Sequence, residues 1–120
     1  MRSNIVSNIS ALSAAVDQAG PAIQVQQVYS VSAQAISTGA STGTVQLQVS
    51  NDPINICTVD ANGRFVPVNW SSLGSALTVT AASTTILLKT DCCHQWLRAI
   101  YTHNNGSAGT ITVNINTQGF

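Results

Sequence analysis

Charge is what this chain has least of. Its 120 residues carry four Lys or Arg and four Asp or Glu, a formal net charge of zero and a charged fraction of 7%. Ordinary soluble domains carry about 25%. Without a basic face there is no electrostatic footprint for nucleic acid or for an anionic membrane surface. A neutral surface also gives a freely diffusing monomer little protection against association, which favours a protein held in an assembly. Long apolar runs are missing too, since none approaches the ~18 residues of a membrane span. Residues 1–20 hold one Arg, and Ser and Asn break up their apolar stretch, so a signal peptide is not expected. Cysteine is scarce and odd in number. Cys57, Cys92 and Cys93 do not make a disulfide framework, and reduced thiols in a cytoplasmically made protein are the simpler reading.

What fills the chain instead is Ser, Thr, Asn and Gln alternating with aliphatic residues. The clearest stretch is residues 44–53, TVQLQVSNDP. There Val45, Leu47 and Val49 point one way and Thr44, Gln46, Gln48 and Ser50 the other. Period two marks a strand with one buried and one wet face. Asn51, Asp52 and Pro53 end it, by Asx capping and a missing ladder donor. Residues 110–117 repeat the arrangement, with Ile111, Val113 and Ile115 inward. These two strands are expected at the centre of the fold, with all six aliphatic residues buried. Residues 23–37 give a long β-rich segment with a bend near Gln27, and a hairpin to the 44–50 strand across the loop at 38–43 is expected. Residues 51–72 are irregular. Asn62-Gly63 is a hairpin-type turn, Pro67 pushes a short strand at Phe65, Val66 and Val68 toward a sheet edge, and Trp70 reads as a core plug. Short strands follow at Leu77 and Val79, at Ile86 and Leu88, and at residues 96–102. In the last, Leu97, Ala99 and Tyr101 oppose Trp96, Arg98 and Ile100.

One domain of this length builds one core. The expectation is an all-β fold, a single antiparallel β-sandwich of jelly-roll-like form over residues 21–120. Residues 1–20 differ. Ile5, Ile9, Leu12 and Val16 fall at spacings of four, three and four, one face of a helix, with Gly20-Pro21 as a stop. The same letters also read as an extended arm, because Leu12, Ala14 and Val16 alternate. Either packs on the sandwich or reaches a neighbour, and these four apolar residues are the candidate partner-binding set.

The run TGTVQLQVSNDP, then Trp70, LTVTAAST, WLRAIYT and GSAGTITVNINTQG, resembles a family of small β-sandwich structural proteins of tailed bacteriophages, over residues 21–119. Its most specific pieces are Ser50-Asn51-Asp52-Pro53 and a hairpin carrying Arg98, Tyr101, Thr102, Gly109 and Thr110. The resemblance implies a virion role without an active site, that of a capsid decoration or accessory subunit. Its partners would be the major capsid protein, other virion proteins and further copies of itself, with no nucleic acid, membrane or cofactor. A head–tail joint or fibre base, a carbohydrate-binding module and an enzyme remain as alternatives. The chain departs from the family pattern at Asp91-Cys92-Cys93-His94.

That segment is where chemistry would sit. Zinc sites use spaced cysteines, whereas adjacent ones in extended chain face opposite ways, so no metal is expected. Cys92 and His94 can share a face, but no oxyanion donor or orienting acid accompanies them. No phosphate loop, HExxH or GxSxG is present. Trp70, Trp96, Tyr29 and Tyr101 read as core in preference to a sugar platform, and Arg98 as an ion-paired or carbonyl-capping residue.

Overall fold

The computed structural model describes residues 2–25, 28–86, 90–91 and 95–119. Among them every regular element is a strand: β1 Arg2–Ser13, β2 Gln18–Ala19, β3 Ile23–Gln24, β4 Val28–Ser37, β5 Gly43–Ser50, β6 Thr58–Val59, β7 Phe65–Val66, β8 Ser71–Val79, β9 Thr84–Ile86, β10 Thr90–Asp91, β11 Trp96–His103 and β12 Thr110–Gly119. All pairings are antiparallel. One sheet runs β1-β12-β4, with β9 and β10 both on the far edge of β4. The other places β2 and β3 end to end along one edge of β11, followed by β5 and β8. β6 and β7 form a separate two-stranded ribbon.

The two sheets are joined by the side chains that the alternation assigns inward. Val45, Leu47 and Val49 of β5 and Ile111, Val113 and Ile115 of β12 are all buried. Val31, Ala33 and Ala35 of β4 join them, with Leu97, Ala99 and Tyr101 of β11. Burying each larger aliphatic side chain contributes roughly 1.5–3 kcal/mol. β5 and β12 each have a partner on both sides, so both are central, as expected.

The hairpins expected across residues 38–43 and 103–109 are something else. β4 and β5 lie in opposite sheets, as do β11 and β12, so each connection is an arch across the sandwich. The pairs formed are β4 with β12 and β5 with β11. The reason lies in the loops, which pack on each other. Thr38 N donates to Thr110 O at 3.0 Å, Asn104 N to Thr42 O at 3.1 Å and Ala108 N to Ala40 O at 3.2 Å. The buried Ser41 hydroxyl sits 2.6 Å from Thr38 O and 2.9 Å from Ala108 O. Gly109 makes this closeness possible, because its φ is +95° and a Cβ there would fall 2.0 Å from Thr38 O. The Gln27 bend lies outside the described residues. On either side of it the expected long segment divides into β3 and β4, in different sheets.

The amino-terminal segment is a strand, not a helix. β1 pairs with β12 from Arg2↔Gly119 to Ser13↔Thr110, with register shifts between Ser7 and Ile9 and between Ile9 and Leu12. Each shift adds one residue to β1 and resets which face follows. Ala11 has a φ of +50°, and its N–H reaches Thr112 Oγ1 at 3.0 Å. The inserted residues create the helical-looking spacing. The four apolar residues do not form one buried stripe: Ile9 is wholly buried, while Ile5, Leu12 and Val16 are exposed. Beside Ile9, the buried Asn8 bridges the sheets. Its Oδ1 accepts from Ala99 N at 2.7 Å and its Nδ2 donates to Pro21 O at 2.9 Å, filling the gap between β2 and β3 along β11.

Candidate docking surface

β5 ends at Ser50, and the chain leaves the sandwich on an excursion that returns to β8. Asp52 fastens its root. The residue is 7% exposed. Its Oδ2 accepts from Val68 N at 2.7 Å and Asn69 N at 2.8 Å, and its Oδ1 from Asn69 Nδ2 at 3.1 Å. Asp52 O accepts from Trp96 Nε1 at 3.1 Å, which ties the same residue to β11. The backbone N–H of Asn69, with the other donors, holds the Asp52 carboxyl below the usual carboxylate range against the opposing effect of burial. Sequence alone identifies Asp52 as a cap. It does not show that the cap joins residues sixteen and seventeen positions apart.

The excursion is braced by its own main chain. Ile56 N donates to Pro53 O at 3.0 Å. At the tip, Asp60 Oδ1 accepts from Asn62 N and Arg64 N, both at 2.9 Å. β6 and β7 pair Thr58 with Val66 and Val59 with Phe65, so Val59 and Phe65 share one face. The polar groups are used internally and the apolar ones face out. Ile54, Ile56, Val59, Phe65 and Val68 are 42–60% exposed, five of the eight exposed large hydrophobic residues described. Such a concentration is a candidate interaction surface, and a two-stranded ribbon alone is only marginally stable in water. The strand expected at a sheet edge thus belongs to this projecting ribbon. The Cys57 thiol within it is half-buried, and burial followed by the Asp52 charge pushes its pKa up, so it is a neutral thiol at neutral pH.

Trp70 is not a core plug. It lies half-buried, donating from Nε1 to Pro67 O at 3.0 Å, and the Arg98 guanidinium stacks 4.0 Å from its ring centroid. Arg98 Nε donates to Gln48 Oε1 at 2.9 Å. Among the described residues Arg98 pairs with no carboxylate; a tryptophan face and the side-chain carbonyl oxygen of Gln48 satisfy it. Trp96 and Tyr101 are buried, so neither is available to a sugar platform. The Tyr101 hydroxyl lies 2.9 Å from both Ala14 O and Thr42 O and 3.1 Å from Ser107 Oγ.

At the other end of β11, Asp17 Oδ1 accepts from His103 N at 3.0 Å and lies 2.6 Å from His103 Nδ1. Those bonds hold the Asp17 carboxyl below its ordinary range. Cys92, Cys93 and His94 lie outside the described residues. Among the described residues no three His, Cys, Asp or Glu side chains are grouped to hold a metal.

No family model and no curated protein matches the chain. Among solved structures, its fold is similar to that of the PBSX exported protein XepA, at TM-score 0.66 and 16% identity, over 99% of this chain and 37% of that one. The chain therefore spans little more than a third of XepA. It is similar over nearly its whole length to the SPBc2 prophage-derived protein YomS (TM-score 0.56, 12% identity, 98% and 95% covered) and to PirA (0.53, 17%, 97% and 93%). At these identities the likeness establishes the β-sandwich fold, shared with at least one prophage-derived protein.

Proposed function

We propose that the chain is a structural subunit of a tailed-phage virion, and within it a capsid decoration subunit that binds the major capsid protein and acts by contact, without catalysis. The observation carrying this reading is the clasped ribbon, which presents Ile54, Ile56, Val59, Phe65 and Val68 to solvent on a chain with almost no charge. Such a surface gains by apolar burial and incurs little charge desolvation on docking. Ile5, Leu12 and Val16, exposed on and beyond β1, extend the contact to a neighbouring copy or a second shell subunit. The likeness to a prophage-derived protein supports the virion setting.

The test is co-sedimentation with undecorated capsid shells. The variant Ile54→Ser/Val59→Ser/Phe65→Ser is expected to lose at least about tenfold in affinity, ~1.4 kcal/mol, with an unchanged circular dichroism spectrum. Ile5→Ser/Leu12→Ser/Val16→Ser is the second arm. Deleting residues 1–19 is no substitute, because it removes β1 together with Ile9 and Asn8. A folded ribbon variant that binds shells as well as the parent chain overturns the assignment of the ribbon. Binding to isolated portal or tail parts in place of shells moves the subunit to the head–tail joint.

A further inference from the structure

The chain contains two Asn-Gly pairs, Asn62-Gly63 and Asn105-Gly106, both in exposed turns. Asparagine before glycine is open to spontaneous deamidation, because no side chain shields the following nitrogen. The glycine nitrogen attacks the asparagine Cγ, a new N–C bond closes a succinimide, and the side-chain amide leaves as ammonia. Water then opens the ring at either carbonyl, giving aspartate or isoaspartate. At both sites nothing lies within 4 Å of where a glycine Cβ would stand, so steric cover does not separate them. Hydrogen bonding does. Gly63 N donates to Asp60 O at 3.0 Å, and the Asp60 carboxylate holds the N–H groups of Asn62 and Arg64. To react, Gly63 has to leave a turn fastened on both sides. Gly106 N has no acceptor among the described residues; its turn is closed by Ser107 N donating to Asn104 O at 3.1 Å and flanked by Asn104 N on Thr42 O and Ala108 N on Ala40 O, none of which engages the reacting nitrogen.

We propose that Asn105 is a deamidation site in the folded protein, that Asn62 is protected by its Asp60 turn, and that isoaspartate at 105 loosens the sandwich. The last step follows from what comes next in the chain. Isoaspartate routes the main chain through the side chain and adds a methylene two residues before Ser107. Ser107 is buried, accepts from Thr42 N at 2.9 Å and lies 3.1 Å from the Tyr101 hydroxyl, so it joins the two arches to the core. Its own N–H also closes the altered turn. The reaction further adds one negative charge to a chain of formal net charge zero.

The test is a time course of the full chain in mildly alkaline buffer, read by peptide mapping that distinguishes aspartate from isoaspartate. Asn105 is expected to convert several-fold faster than Asn62 in the folded protein and at a similar rate in urea-unfolded protein. Equal or inverted rates in the folded protein overturn the site assignment, as does an intact Asn105 over a period in which the unfolded control converts. For the structural consequence, isoaspartate-enriched protein should melt below fresh protein, while an Asn105→Asp variant, with the same charge and an ordinary backbone, melts as fresh protein does. Identical melting of aged protein and the Asn105→Asp variant removes the claim that the route to Ser107 matters.

Discussion

Replacing Asn8 by Ala tests the join between the two sheets. In the folded protein the Asn8 amide serves two main-chain groups that no strand reaches. Ala99 N falls on β11 between the residues paired to β2 and those paired to β3, and Pro21 O lies in the link between those short strands. Truncation leaves a buried donor, Ala99 N, and a part-buried acceptor, Pro21 O, without partners, at up to ~1–3 kcal/mol each. The expected loss is about 2–5 kcal/mol, a large share of the ~5–15 kcal/mol that a domain has, and a fall in Tm of roughly 8–20 °C. Gly20 supplies an internal control. A Cβ on Gly20 would lie 1.8 Å from Asn8 Oδ1, and the three atoms nearest to it all belong to the Asn8 side chain. Gly20 does not use the left-handed region, so alanine is conformationally acceptable there. Gly20→Ala should therefore cost nearly as much as Asn8→Ala in the parent chain, by evicting the same amide, and under ~1 kcal/mol in the Asn8→Ala background. Urea unfolding followed by circular dichroism gives all four corners of the cycle. Additive costs, or an Asn8→Ala cost below ~1 kcal/mol, would refute the bridging role.

Two further predictions follow from the core and the clasp. Leu47→Ala, at the buried centre of β5, should cost ~2–5 kcal/mol in the same assay; a cost under ~1 kcal/mol would place that side chain at the surface. The Asp52 carboxyl takes up its proton at lower pH in the folded chain than in the unfolded one. Its contribution is therefore fully present above the ordinary carboxylate value of about 4 and is lost as pH falls through the depressed folded value. The stability gap between the parent chain and Asp52→Asn should shrink on acidification from neutral pH, and a gap that is constant or growing contradicts the clasp.

The periodicity of the sequence reports faces well and partners poorly. Val45, Leu47, Val49, Ile111, Val113 and Ile115 are legible because strict alternation depends only on which side of a strand is wet. Whether the loop at 38–42 makes a hairpin or an arch depends on the loop at 104–109, more than sixty residues away, and on Gly109 lying against Thr38. Local letters carry no trace of that contact. β1 misleads for a related reason. Two bulges insert residues into its alternation, and the helix-like spacing of Ile5, Ile9, Leu12 and Val16 leaves Ile9 buried and the other three exposed. The ribbon was hidden because Ile54, Ile56, Val59, Phe65 and Val68 sit in an irregular stretch. Apolar residues there are equally consistent with burial under a loop, and the Asp52 bonds that fix the root of the excursion join residues sixteen and seventeen positions apart.

The placement of β12 sets an order of events during synthesis. It lies between β1 and β4, and its register with β1 joins Arg2 to Gly119. On a translating ribosome, β1 and β4 emerge early and stay without their shared neighbour until residues 110–119 are free. The other sheet can assemble β5 on β8 first and on β11 later, but the sandwich cannot close over its core before β12 arrives. Folding then waits on β12 and is dominated by distant pairings, the slow regime of β topologies. The nascent chain, with little charge to keep copies apart, has to wait through it with its aliphatic faces uncovered.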